Sequence, residues 1–460
     1  MSSHSRIAAP STASDRAFAG HPRGLGYLAF AEAWERFSYY GMQTLLVLYM
    51  VRQLLHPGHI ERIAGFGGFG ALLERAYGGP LSTVALASAI FGLYTGLVYL
   101  TPILGGLIAD RWLGRTRTVI SGALLMALGH FLMAFDASFL VALACLLAGV
   151  GCFKGNIASQ VGALYAPDDP RLADAYQIYF LFINGAVIIS PLITGTLGES
   201  VAWHYGFGAA GVGMLISLLI YVRGRSWLPA EPAPRRVRSV AKATLSREER
   251  KALAVLILIL PVIAVGAVGN QEIFNAYLLW VPANIDLVFF GHTMPTTWLI
   301  TLDAVVSISC LAAVLGFWRL WSKHHREPSE IIKLTLGYGI SVLGLLSLTA
   351  AAAIAARGHQ ASPGWVIAFE LLNSVGFANI FPVGLALYAR VSPRALTGTM
   401  IGIYYLHLFG ANDLVGWLGG LVERLPGVKF WLLHAALVCG AGAIMAVAAR
   451  VFGRVLAPKG

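Results

Sequence analysis

The sequence predicts an all-α membrane protein whose twelve spanning helices fall into two six-helix halves. Three observations carry that prediction: a composition too apolar for a water-facing shell, apolar runs that recur at bilayer-crossing length, and a basic, proline-bearing segment midway along the chain. Of the 460 residues, 57% are hydrophobic and 12% are charged, and the mean hydropathy is +0.71. An ordinary soluble domain carries roughly 25% charged residues.

A helix needs about 20 mostly apolar residues to cross a bilayer. Runs near that length recur, for example Val119 to Phe135 and Ala252 to Val268, and twelve candidate helices begin near residues 28, 82, 118, 139, 175, 206, 252, 296, 332, 364, 396 and 429. Residues 1 to 24 are rich in Ser, Ala, Pro and Arg without an apolar core, so they are expected to form a disordered cytosolic tail rather than a cleaved leader. Residues 25–222 are then expected to form the first six-helix bundle and residues 252–460 the second. Between them, Arg223 to Lys251 holds nine Lys or Arg against three Glu, with Pro229, Pro232 and Pro234. That composition suits a cytoplasmic linker.

The net charge of +11 belongs to short connections between apolar runs and forms no single stripe, which argues for positive-inside topology and against nucleic acid. Arg111, Arg115 and Arg117, the stretch Lys323 to Arg326, Arg390 with Arg394, and Arg450 with Arg454 all fall on the linker's side of the membrane. Both termini are therefore expected in the cytoplasm, for a chain residing in a bacterial inner membrane. The opposite-side connection from His56 to Pro80 carries Gly-Phe-Gly-Gly-Phe-Gly at 65 to 70 and is expected to be an external loop, since no strand precedes it as a phosphate-binding loop requires.

The four cysteines, Cys145, Cys152, Cys310 and Cys439, sit inside apolar runs and imply neither a disulfide framework nor a zinc site. The chain lacks His-Glu-x-x-His, Gly-x-Ser-x-Gly and a P-loop lysine, and its His130, His407 and His434 are isolated and read as structural. No enzyme, metal or cofactor is expected.

The first helix concentrates the chemistry. It reads Glu32-Ala-Trp-Glu35-Arg36-Phe37-Ser-Tyr39-Tyr40-Gly41, and spacings of three, four, seven and eight put Glu32, Glu35, Arg36, Tyr39 and Tyr40 on one face, which Gln43 continues. Each charge at a helix centre costs about 2.5 to 3.5 kcal/mol on insertion scales, so two acids and one cation in one span demand partners or a watered cavity. A plain interhelical ion pair would use Arg36 and one Glu and leave the other acid without a cation. A carboxylate beside an arginine keeps its charge, and one that loses the arginine to a competing anion accepts a proton. Lys154, in an apolar helix, likewise needs a carboxylate or an anionic ligand, unless it snorkels to an interface.

His21-Pro22-Arg23-Gly24-Leu25 followed by Glu32-x-x-Glu35-Arg36-Phe37-x-Tyr39-Tyr40-Gly41 resembles the entry signature of the proton-dependent oligopeptide transporters. Gly105-Gly106-Leu107-Ile108-Ala109-Asp110-Arg111, Phe153-Lys154-Gly155-Asn156 and Tyr179-Phe180-Leu181-Phe182-Ile183-Asn184 follow in the same order, so the resemblance spans essentially the whole chain. It implies the major facilitator fold, in which substrate sits at the midplane between two rocking halves. It also implies proton-coupled symport of di- and tripeptides, with another small zwitterion or anion, or a non-transporting solute sensor, as the alternatives. By resemblance, Glu32 and Glu35 couple protons, Arg36 and Lys154 hold the substrate carboxylate, and Tyr39, Tyr40, Tyr99 and Asn184 line the pocket. Glu272 lies near a position where such transporters carry a Glu for coupling and binding, though a shift of two positions would put Asn270 there. Asp110 and Arg111 are implied as a cytoplasmic latch, with a solvated helix end as the alternative.

The sequence departs from that pattern at two positions. Gln43 stands where peptide carriers usually have Arg, and Phe377 stands where a Glu of the tenth helix usually receives the peptide amino group. Asp303, following Pro295-x-x-Trp298, is an acid where the pattern has Asn and is the expected replacement anchor, with Glu370 second.

Overall fold

The computed structural model describes residues 15–166, 169–229, 245–289, 291–393 and 396–456. Residues 1–14 of the expected 1–24 tail and the linker's middle, 230–244, lie outside the described residues. The rest of that tail is ordered, with Phe18 and His21 pairing backbone to backbone, His21 bonded to Tyr165 and α1 starting at Arg23. In chain order the helices are α1 (Arg23–Tyr49), α2 (Phe66–Ala76), α3 (Thr83–Ile108), α4 (Arg115–Leu132), α5 (Phe139–Ala163), α6 (Arg171–Ser190), α7 (Thr196–Ser200) and α8 (Trp203–Gly224). The second series is α9 (Arg247–Gly266), α10 (Val268–Gln271), α11 (Ala276–Asn284), α12 (Trp298–Trp321), α13 (Glu330–Ala355), α14 (Gly364–Val391), α15 (Thr397–Gly419) and α16 (Gly427–Leu456). A hairpin of two-residue strands, β1 (Val288–Phe289) and β2 (His292–Thr293), pairs antiparallel with Val288 opposite Thr293.

Helices begin within five residues of every expected start, the largest shifts being from 28 to 23 and from 252 to 247. At the second of these, Ser246 and Glu249 form a reciprocal capping box, the Ser246 hydroxyl accepting from the Glu249 amide and the Glu249 carboxylate from the Ser246 amide. The box satisfies first-turn donors and draws the polar Arg247 to Lys251 turn into the helix.

Eight helices among the described residues are long and apolar enough to span a bilayer, or nine if the pair α9 and α10, bent by 43°, counts as one span. The three other expected spans are helical but carry polar residues: α1 holds Glu32, Glu35 and Arg36, α4 is only 18 residues long and opens on Arg115 and Arg117, and α15 contains His407, Asn412 and Asp413. Many outward side chains are large and apolar, Leu181 being 69% and Val447 58% exposed. A soluble protein rarely shows such continuous apolar surface, so these faces meet lipid.

The glycine-rich connection folds differently from the expected loop. Phe66–Ala76 forms helix α2, entered through Gly65 at φ +77° and steadied by an edge-to-face Phe66–Phe69 pair and the burial of Leu73. The apolar contacts of Phe66 and Leu73 outweigh the poor helix propensity of Gly67, Gly68 and Gly70.

Two compact units emerge from the chain's contacts: Met1–Met42 with Leu100–Ser239, and Gln43–Tyr99 with Val240–Gly460, so α1 and α3 each contribute to both. Within the first unit, α3 and α5 meet backbone to backbone. A Cβ on Gly105 would lie 1.9 Å from the Gly151 carbonyl oxygen, and Asn156 Nδ2 donates to the Gly105 carbonyl at 3.3 Å. Two motifs that are 51 residues apart thus become one crossing point. Gly105→Ala is expected to cost about 1 to 3 kcal/mol by overpacking, seen as a lower melting temperature in detergent. Gly106→Ala, whose Cβ meets nothing within 4 Å, should leave melting unchanged.

Within the second unit, Gly376 brings α14 against α13, where a Cβ would sit 2.1 Å from Ser341 Oγ and 2.8 Å from the Gly337 carbonyl oxygen. Prolines 102, 261, 282 and 382 lie inside helices. Such breaks are tolerated at membrane depth because neighbouring helices and polar side chains satisfy the freed backbone groups.

Candidate functional site

In the first unit, serine hydroxyls anchor α1 on both sides of its charged turn. Ser217 Oγ of α8 donates to the Ala31 carbonyl at 2.6 Å, and Ser190 Oγ of α6 donates to the Phe37 carbonyl at 2.5 Å. Between these anchors Arg36 meets Glu35 as a fork, with Nη2 donating to Oε1 at 2.8 Å and Nε 2.5 Å from Oε2. The same Nε is 3.2 Å from Glu32 Oε1. Exposure is 4% at Glu32, 0% at Glu35 and 5% at Arg36, so a single guanidinium bridges two carboxylates away from bulk water and leaves the triad with one net negative charge. The Nη2–Oε1 contact is a charge-assisted hydrogen bond, a class among the stronger contacts available, and the Nε–Oε2 contact is an ion pair.

The i, i+3, i+4 spacing produces this geometry directly, as the sequence predicts. Tyr39 is buried with its ring 5.4 Å below the guanidinium carbon, and half-buried Tyr40 packs edge-on against Tyr39 at 5.3 Å. Half-buried Lys154 of α5 lies in the electrostatic field of Arg36, Glu35 and Glu32. It therefore joins the cluster instead of snorkelling away. Asn184 of α6 donates its side-chain amide to the Phe180 carbonyl at 2.8 Å. Tyr179, which entered the sequence reading only as part of a motif, is 3% exposed and turns its phenol to Glu32.

The second unit holds the remaining candidates. Gln43, 7% exposed, keeps a buried side-chain oxygen with no hydrogen-bond partner, and half-buried Tyr99 closes this unit's share of α3. A small cavity is lined by Asn270, Asn373, Phe377, Phe381 and His407, with Phe377 stacked on Phe381 at 5.3 Å. Glu272 is not among its walls. Asn270 is.

Glu272 turns the other way and is fully buried. Its Oε1 accepts from Asn275 Nδ2 at 3.3 Å and from the Ala276 amide at 3.2 Å, and its Oε2 is 3.6 Å from His434 Nε2. The physical reason is the break between α10 and α11, where the free Ala276 amide needs an acceptor that the interrupted helix no longer supplies. His434 is thus no isolated residue. The one sequence signal for it was Glu272 itself, a buried acid that had to find a partner.

Asp303 and Glu370 were singled out separately, yet the structure puts them together. The Asp303 carboxyl, half-buried on α12, faces the Glu370 carboxyl of α14, which is 0% exposed. Tyr277 Oη of α11 donates to Glu370 Oε1 at 2.5 Å, and Ser307 Oγ donates to Asp303 Oδ1 at 3.4 Å. Asp110 and Arg111 fall in a wide helical turn, Ala109–Leu113, on the exposed end of α3. The four cysteines are unpaired, and no group of three or more potential metal ligands occurs among the described residues.

Along nearly its whole length the chain is similar to known proteins. The chain is 28% identical to the peptide transporter YePEPT of Yersinia enterocolitica, over 95% of this chain and 96% of that protein. It is 29% identical to a di-/tripeptide transporter of Lactococcus lactis subsp. lactis, over 94% of this chain and 96% of that protein. Its fold matches a crystal structure of a peptide transporter POT in complex with sulfate, with a TM-score of 0.83 and 24% identity over 97% of this chain and 98% of that one. The PTR2 family, described as the POT family, matches residues 116–239 and 233–432. With a membrane-embedded helical fold and a buried charge cluster on its first helix, the chain belongs to the POT family of integral membrane transporters.

Proposed function

We propose that this protein imports small peptides together with protons by alternating access. The observation that carries the reading is the charge arithmetic of the first unit: Glu32 and Glu35 against Arg36 and Lys154 give two negative and two positive formal charges. A neutral cluster in a poorly solvated site cannot accept a peptide carboxylate without acquiring a net charge, which is costly there. Taking one proton onto Glu32 or Glu35 restores neutrality. A substrate carboxylate that captures Arg36 therefore frees an acid to bind a proton, and proton and peptide enter together.

In this reading Tyr39, Tyr40, Tyr99 and Asn184 supply neutral hydrogen bonds around the peptide, and Gln43 offers an amide where relatives offer a cation. Phe377 makes the cavity of the second unit apolar. Asn270 takes the midplane position at first assigned to Glu272. No cofactor is needed, since the proton is the coupling ion. The chain resides in a bacterial inner membrane with both termini and the basic linker in the cytoplasm, as the distribution of basic connections favours.

Purified protein in proteoliposomes should accumulate labelled Ala-Ala above the external concentration when the outside is acidic. A protonophore should abolish that accumulation. Uptake that never exceeds equilibration would refute proton coupling, and binding without uptake would make the protein a sensor. The amino end of the peptide is assigned to Asp303. Asp303→Asn should weaken Ala-Ala by about 1.5 to 3 kcal/mol through loss of a charge-assisted contact, and weaken N-acetyl-Ala-Ala less. Equal losses for both ligands would remove Asp303 from that role.

A further inference from the structure

The first-unit cluster accounts for one proton. The second unit contains two more buried carboxyls, Asp303 and Glu370, whose geometry raises a separate question. Tyr277 occupies Glu370 Oε1 as a donor at 2.5 Å, while Glu370 Oε2 is buried and meets no hydrogen-bond donor. The Glu370 carboxyl as a whole faces the Asp303 carboxyl, an acceptor when ionised. Two ionised carboxylates in contact repel, and a buried oxygen without a donor loses its hydration uncompensated. One proton between them removes both penalties.

We propose that Asp303 and Glu370 form a second proton-binding site, with one proton held on Glu370 Oε2 and donated to the Asp303 carboxylate. The titratable groups that face the pair are its own two members and Tyr277 from α11; Ser307 from α12 supplies a neutral donor to Asp303 and is itself 3.0 Å from Ser374 of α14. Among the described residues no Lys, Arg or His acts on either carboxyl, so none of them holds both ionised. Asp303 is half-buried and Glu370 is 0% exposed, so in this proposal the proton first bonds to Asp303, the more accessible of the two. The Asp303 O–H bond then breaks as the Glu370 Oε2–H bond forms, and the electron pair left on Asp303 gives it the remaining negative charge. That charge is available to a substrate ammonium, so proton and ammonium occupy the pair together without competing.

This proposal rests on proton-coupled transport and adds a second coupled proton to it. Glu370→Gln is the natural probe, because the amide imitates the protonated acid: its oxygen still accepts from Tyr277 and its nitrogen donates to Asp303. In proteoliposomes with a trapped pH dye and labelled Ala-Ala, the proton-to-peptide ratio should fall by one in Glu370→Gln, with counterflow still measurable. Asp303→Asn provides the same reading should the first variant fold poorly. Infrared spectra of the purified protein give a readout independent of transport: a protonated carboxylic acid band near neutral pH in wild type that disappears in Glu370→Gln. An unchanged ratio together with an unchanged band in both variants overturns the second site. Absence of any proton movement with Ala-Ala in wild type, with the band present, refutes the transport reading and leaves the protonated pair standing.

Discussion

Glu35→Gln is expected to abolish proton-driven accumulation of peptide while leaving exchange of labelled for unlabelled peptide measurable. Glu35 is fully buried and holds both ends of the Arg36 fork, at 2.8 and 2.5 Å. The amide cannot change charge, so a peptide carboxylate arriving at Arg36 no longer has this acid to protonate. Binding and reorientation of the loaded protein persist, since the amide oxygen still accepts from the guanidinium. Glu32→Gln should act in the same direction and more weakly, because Glu32 makes one contact with Arg36, at 3.2 Å, and has Tyr179 beside it. Accumulation ratios in proteoliposomes with and without an acid exterior measure the effect. Ratios equal to wild type in both variants would remove the cluster from coupling.

A larger effect on the folded protein is expected from Arg36→Met. The substitution leaves two carboxylates, 4% and 0% exposed, without the cation that spans them. Breaking a buried pair from one side costs about 3 to 5 kcal/mol, which for a protein of ordinary stability is a large fraction of the total. Loss of the monodisperse peak in detergent and a sharp fall in melting temperature should report it. The triple variant Glu32→Gln, Glu35→Gln, Arg36→Met removes the orphaned charges and should recover much of the loss, without recovering transport. Melting of Arg36→Met at the wild-type temperature would mean that the acids are not held by Arg36.

The triad was legible because its geometry follows from one helix: residues 32, 35 and 36 share a face whatever surrounds them. Span positions were legible for the same local reason, as apolar run length fixes them. Contacts across the chain left no such trace. Asp303 and Glu370 are 67 positions apart and Glu272 and His434 are 162 apart, and no periodicity links either pair. Glu272 shows the limit well. The sequence identified Glu272 as a candidate, but its direction depends on the free amide of Ala276, a backbone feature that appears only when α10 and α11 are seen to separate. The helix at Phe66–Ala76 was hidden for the opposite reason, since its glycines signal a loop and its burial of Phe66 and Leu73 is a tertiary matter.

The neutrality of the four-group cluster around Arg36 also bears on membrane voltage. Two acids and two bases with no net charge give the transmembrane field nothing to act on in that part of the empty carrier. A zwitterionic peptide adds none either, so the proton that this cluster takes up with it is a charge the voltage pulls inward. Each elementary charge is worth about 2.3 kcal/mol per 100 mV, so each coupled proton contributes roughly a 50-fold factor, at 100 mV negative inside, to the capacity to concentrate peptide before any pH difference is counted.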